Sequence, residues 1–214
     1  MLSNFLRDNS SQRYLIVDFE TTNTNQVLST NRVWQVGLVQ CKGKNIIQQD
    51  EIFIRWNPLN ISKGAAQVTK FDIREYNEKA VDPKEPFDML TSYLYDKDYR
   101  IIFHNGLGFE VYLYNIWRKL MGYKSDWSYL SRTIDTDALA RGIKKGIKYQ
   151  PGDNFLAYQY RMSSIIEKGL KTNLTALGKE NKIEYDYENL HRALNDCILN
   201  KLVWEKYISY QVDI

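Results

Sequence analysis

Cysteine is scarce. Cys41 and Cys197 are the only two in the chain, too few for a disulfide framework and too isolated for a CxxC zinc site. Both are expected to be reduced and buried, which favours a cytoplasmic setting. No stretch reaches the roughly 18 apolar residues of a membrane span. The opening "MLSNFLRDNSSQR" has no long apolar core, so it does not read as a secretory signal. Internal repeats, low-complexity tracts and linkers are also missing. The net charge of +3 is too small to diagnose a partner. It permits nucleic-acid binding without arguing for it, because a local basic patch matters more than the total.

What is present suits a soluble α/β domain. With 26% charged and 43% apolar residues over 214 positions, the chain can bury a substantial core in one domain, residues 1–214. Tyr14 to Asp18 reads as a central strand. Arg32 to Cys41 and Asn45 to Trp56 read as two more, joined by the turn signal "KGK". "NPLNISKGAAQVTKFD" reads as a polar connection. "KEPFDMLTSYLYD" has helical spacing, and "RIIFHN" (Arg100 to Asn105) is a further strand. Phe109, Leu113, Ile116 and Leu120 recur at helical intervals. A helix is expected to begin near Asp135, another after Asp153 or Asn154, and a short one after Thr172 or Asn173. Leu190, Ala193, Leu194, Cys197, Ile198 and Leu202 mark a final amphipathic helix. This order predicts a mixed sheet flanked by helices.

The first strand ends oddly, in "VDFETT". Residues i and i+2 of a strand point the same way, so Asp18 and Glu20 share a face if the strand continues. Two adjacent carboxylates repel, and a hard divalent cation relieves the conflict. The other reading is that both have entered a solvated loop. "HNGLGFE" places Glu110 in a helix's first turn, where a negative charge is favoured in any case. "HRALNDC" puts Asp196 beside the apolar stripe, where unpaired carboxylates are rarely found. His191 lies five residues earlier, about 140° away around an ideal helix. It is therefore expected on the first turn or the loop before it, partly exposed. Separately these features also fit a surface histidine and locally paired acids. Together the four acids and the histidine fit a two-metal phosphodiesterase site.

"DFETT" and "HRALND", with "HNGLGFE" between them, resemble the motifs of the DEDDh 3′–5′ exonucleases, the proofreading epsilon-subunit-like and oligoribonuclease-like group. "DTDALARG" (Asp135 to Gly142) is also similar to a segment of that family, and the motifs span residues 14–207. The middle motif departs from the family pattern, because Glu110 stands where aspartate is usual. The resemblance implies an RNase H-like fold with a central mixed sheet of about five strands. It implies two Mg²⁺ or Mn²⁺ ions held by Asp18, Glu20, Glu110 and Asp196. Asp18 would bridge both, Glu20 and Asp196 would complete the ion that activates water, and Glu110 would serve the other. His191 would be the general base. Phe19, Thr21, Asn105 and Phe109 would hold the terminal nucleotide. The implied activity is release of nucleoside monophosphates from single-stranded 3′ ends, DNA favoured over RNA. A polymerase or another replication protein would act only in trans. The departure at Glu110 leaves open a weakened or inactive nucleic-acid-binding module. Arg141, Lys144, Lys145 and Lys148 read either as a phosphate track or as an ordinary solvated surface.

Overall fold

The computed structural model describes residues 11–25, 28–150 and 152–212; most of the opening segment read for a signal, Met1 to Ser10, lies outside them. Five strands form the sheet: β1 (Arg13–Thr21), β2 (Val33–Lys42), β3 (Asn45–Phe53), β4 (Tyr99–Phe103) and β5 (Thr133–Asp135). Their order across the sheet is β3-β2-β1-β4-β5. β2 is antiparallel to both β1 and β3, whereas β4 is parallel to β1 and to β5. The sheet is therefore mixed, as expected. β5, only three residues long, was not legible as a strand. So short a run has no alternation to read, and it is set by pairing with Ile101, Ile102 and Phe103.

Alternation on the central strands divides the core. Ile16, Val39, Ile102 and Ile134 face one layer, with α5 (Thr136–Lys145), α6 (Phe155–Ser163), α7 (Leu174–Glu180) and α8 (Ala193–Val203). Leu15, Val17, Leu38 and Ile101 face the other, with α3 (Lys84–Tyr95) and α4 (Glu110–Leu120). Period-two geometry makes this split unavoidable for a sheet covered on both sides.

The stretch from Asn57 to Asp72, expected as a polar connection, contains α1 (Lys63–Val68), and α2 (Ile73–Lys79) follows it. Both are too short to be stable alone. Side-chain caps hold both, and a satellite core holds α2 and the turn before it. The Ser62 side chain accepts from Ala65 N, and the Asp72 side chain accepts from Arg74 N and Glu75 N. Phe71 and Tyr76 pack around Trp34 and Phe53. Of the two caps the sequence offers for each helix, Asn154 rather than Asp153 and Asn173 rather than Thr172 take the position.

Candidate active site

Asp18 and Glu20 stand at the C-terminal end of β1, on the face that carries Ile16 and covers α8. Asp18 pairs across the sheet with Gly37 of β2. The missing side chain there is a structural requirement: a Cβ on Gly37 would lie 2.2 Å from the carbonyl carbon of Ala193. The first turn of α8 thus rests directly on β2 beside Asp18. Two further bonds fix it there. Ala193 N donates to Oε1 of Gln35 at 3.1 Å, and the Cys197 thiol donates to Gly37 O at 3.2 Å. Asp196 consequently faces the two acids of β1. One ligand oxygen from each of Asp18, Glu20 and Asp196 falls within a 4.8 Å group.

The three carboxylates are held above their ordinary range. Burial raises Asp18 well above it, and Asp196, Glu110 and Glu20 add repulsion. Burial followed by Asp196 lifts Glu20 to about 8. Burial lifts Asp196 to about 7, opposed by the N–H of His191. Crowded, desolvated oxygens with raised proton affinity are what a hard divalent cation would relieve. The donor set is all carboxylate, which suits Mg²⁺ or Mn²⁺.

Glu110 lines the same cavity but lies outside that group of three. It is 3% exposed, and its Oε2 has no hydrogen-bond partner. Burial pushes its pKa up, its own main-chain N–H pulls it back, and Asp135 and Glu20 push further. A buried carboxylate oxygen without a hydrogen-bond partner, on a residue that lines the acid cavity, is one that a cation, directly or through water, would satisfy.

The loop carrying Glu110 is organised by Asp135, a role that motif spacing did not reveal. Asp135 is fully buried. One oxygen accepts from Asn105 N at 3.0 Å and the other from Leu107 N at 2.9 Å. It also caps α5 through Asp137 N and Ala138 N. Burial lifts it to about 6 against the N–H groups of Leu107, Ala138 and Asn105, and the Asp137 charge adds to the rise. Asn105 adopts φ 61°, a conformation asparagine tolerates. A Cβ at Gly106 would strike Phe103 at 2.2 Å, so only glycine fits the turn into α4. The readable signal for Asp135 was its place as an acid immediately before a helix.

His191 sits in the loop before α8, exposed, at φ 67°. Its main-chain N–H donates to Asp196 Oδ2 at 3.0 Å, and its side chain lines the cavity. Burial, then the charge of Lys70, lowers its pKa. Next to it, Arg192 grips Glu51 of β3 at 3.0 Å and Glu75 of α2 at 2.9 Å, which ties this loop to the sheet edge.

The cavity measures about 490 Å³, and Phe19, Asn105 and Phe109 also line it. Phe19 and Phe109 pack into the core as well. Thr21 does not line it; its hydroxyl donates to Asn23 O at 2.9 Å. Asp137, Arg141, Lys171, Thr172 and Asn173 line the cavity too; of these the sequence offers only Arg141 for the site, as part of a candidate phosphate track. His104, also at the wall, is held neutral: burial drops it to about 4, and its Nδ1 lies 2.9 Å from the Thr136 hydroxyl. The basic stretch is largely neutralised locally. Arg141 pairs with Asp137 at 2.7 Å, Lys144 with Glu180 at 2.5 Å and Lys145 with Glu167 at 2.7 Å.

No protein-family model and no curated protein sequence matches the chain. Solved structures do match. The zinc-bound complex of E. coli exonuclease I with single-stranded DNA superposes with a TM-score of 0.73 at 17% identity, over 94% of this chain and 41% of that one. The E. coli exonuclease I complex with a 5cy-dT13 oligonucleotide gives 0.71 at 16% identity, over 94% and 41%. An exonuclease I structure described as suggesting how processivity is achieved gives 0.70 at 17% identity, over 91% and 40%. The chain spans about two fifths of the length of these proteins. At such identities the likeness defines the fold. It is the RNase H-like α/β architecture, with three carboxylates converging at the end of its central strand.

Proposed function

We propose that this protein is a metal-dependent 3′–5′ exonuclease that shortens single-stranded DNA and releases nucleoside monophosphates. The observation that carries the reading is the convergence of Asp18, Glu20 and Asp196 within 4.8 Å from chain positions that only folding brings together. The RNase H-like fold shared with exonuclease I complexes of single-stranded DNA supports it and favours DNA over RNA. The whole chain, 1–214, is read as one such domain. Among the described residues no helix is long and apolar enough to cross a membrane. Both cysteines are free and buried, which supports a cytoplasmic setting. No feature of the described residues points to a polymerase or another replication protein in trans.

Asp18, Glu20 and Asp196 would hold one cation, and Asp18 with Glu110 a second. When bound, the pair would supply an acidified water and neutralise charge on the leaving 3′ oxygen. The protein's own groups do the rest. His191 is neutral at neutral pH because its pKa is depressed, so a ring nitrogen is available to accept the proton of the attacking water. Its main-chain bond to Asp196 ties the backbone of the loop that carries it to the acid cluster. Asn105 and Phe109, which line the cavity, would hold the terminal nucleotide, one with an amide and one with an aromatic ring. Phe19 contributes an apolar wall, whereas Thr21 would act only through its backbone.

The test is a 5′-labelled oligonucleotide incubated with Mn²⁺. A ladder that Asp18→Ala abolishes supports the enzyme, and an intact oligonucleotide counts against it. A second reading rests on Glu110 standing outside the group of three: the chain binds single strands and cleaves them feebly. Binding without a ladder, with cleavage restored by Glu110→Asp, would establish that reading.

A further inference from the structure

A second cavity, about 530 Å³, opens beside the end of β1. Its near rim is Thr22, two residues beyond Glu20 and so about 7 Å further along an extended chain. In charge it is the opposite of the acid cavity. Among the described residues Arg32 is the one charged side chain that lines it, beside Trp56 and the amides of Asn23, Asn57 and Asn60.

The frame is rigid. Asn31 is 1% exposed; its Oδ1 accepts from the Thr22 hydroxyl at 3.1 Å and from Asn23 N at 2.9 Å. Its Nδ2 donates to Asn23 O at 2.8 Å. Arg32 N donates to the Thr22 hydroxyl oxygen at 2.9 Å. Trp56 is pinned at its other end, with Nε1 donating to Val33 O at 2.7 Å and its ring set edge-on to Trp117 at 6.5 Å. The Arg32 guanidinium lies 5.9 Å from the Trp56 ring centroid. Its Nη1 donates to Ser29 O at 2.8 Å and Asn31 O at 3.0 Å. Among the described residues no carboxylate pairs with it, so Nε and Nη2 can still donate to an anion.

A fixed indole accepts the face of any base. A guanidinium without a carboxylate partner is a bidentate donor to phosphate. Side-chain amides without competing acids complete a pocket for a nucleotide rather than for a cation or an apolar ligand. We propose that this cavity is a nucleotide subsite, in which Trp56 stacks a base and Arg32 holds a phosphate of the strand whose 3′ end lies in the acid cavity. The proposal rests on the nuclease reading for its occupant. It assigns the cavity to an internal nucleotide of the strand; a free mononucleotide has the same chemistry and is separated by the test.

Binding is measured in an Asp18→Asn background, with 5′-fluorescein-dT12 by anisotropy and with dTMP by calorimetry. Arg32→Gln and Trp56→Leu are each expected to weaken dT12 about tenfold, within the range for loss of one base stack, while dTMP changes less than twofold. For Arg32→Gln the slope of log affinity against log salt should also flatten by about 0.7, the value for one phosphate on a single strand. Unchanged dT12 affinity in both variants overturns the proposal. Equal weakening of dT12 and dTMP also overturns it and assigns the cavity to a mononucleotide. If Trp56→Leu fails to melt cooperatively, the salt slope of Arg32→Gln decides alone. Failure of the nuclease reading looks different: the native chain would leave dT12 intact with Mn²⁺, while the tenfold losses in binding would persist.

Discussion

The main-chain N–H of His191 donates to Oδ2 of Asp196 at 3.0 Å, so the acid that faces Asp18 and Glu20 also anchors the loop bearing the proposed proton acceptor. The two members of "HRALND" are thereby one mechanical unit, although they do not share a helix face. His191→Gln should leave Mn²⁺ uptake intact and lower kcat by about 10²- to 10⁴-fold, the usual value of a general base. Asp196→Ala should lose both uptake and activity. Calorimetric titration beside a gel-based rate assay separates them; equal loss of uptake in the two variants would refute the division of roles.

Gly37 is expected to be intolerant of any side chain. A Cβ would meet the Ala193 backbone at 2.2 Å, and backbone cannot swing aside as a flexible side chain does. Gly37→Ala should cost about 1–3 kcal/mol, as overpacking does, and should weaken Mn²⁺ binding by lifting Asp196 off the other acids. Thermal melts with and without Mn²⁺ report both effects. A variant that melts and binds like the native chain would show that α8 does not depend on this contact.

Metal-free protein should lose stability as pH rises from about 6.5 to 8.5. Glu20 at about 8 and Asp196 at about 7 have folded pKa values above their unfolded ones, so the native state retains protons that the unfolded state has released. Their contribution is complete below the unfolded pKa and fades as pH climbs through the folded one. His104, depressed to about 4, works in the other direction, but only below about pH 6.5. Urea midpoints in EDTA should therefore fall across this window, and Asp18→Asn should flatten the fall. Saturating Mn²⁺ should abolish it. Midpoints that rise with pH in EDTA would contradict the crowded-acid description.

Glu110→Asp should change catalysis more than folding. Its carboxylate is buried with an orphan oxygen, so shortening it by one methylene brings little new strain and places the oxygens closer to the backbone. Expected is an increase in kcat at fixed Mn²⁺ with a melting temperature within a few degrees of the native one. A fall in kcat with unchanged Mn²⁺ affinity would mean that the longer side chain is the working ligand.

Some of this was legible in the residues alone. Strand β1 announced itself through Tyr14 to Val17, and the i, i+2 spacing placed Asp18 and Glu20 on one face. The stripe through Ala193, Leu194 and Cys197 located α8 and set Asp196 at its buried edge. The caps Asn154 and Asn173 followed from side-chain chemistry. Elements that depend on distant partners were not legible. β5 exists because three residues pair with β4, and α2 persists because its Tyr76 packs with Trp34 and Phe53. The two cavities were hidden for the same reason, since their walls come from segments far apart in the chain.

The amino-acid sequence by itself determined which groups were available: four carboxylates and a histidine, each attached to an element whose type follows from local periodicity and capping. Tertiary structure alone decided which of them meet. Asp18, Glu20 and Asp196 converge because α8 settles on the bare backbone of Gly37, whereas Glu110 stays outside that group and the Thr21 hydroxyl turns toward Asn23. Local propensity acts over a few residues, but the separation of two carboxylates remote in the chain is set by packing across the sheet, which no short window of sequence contains.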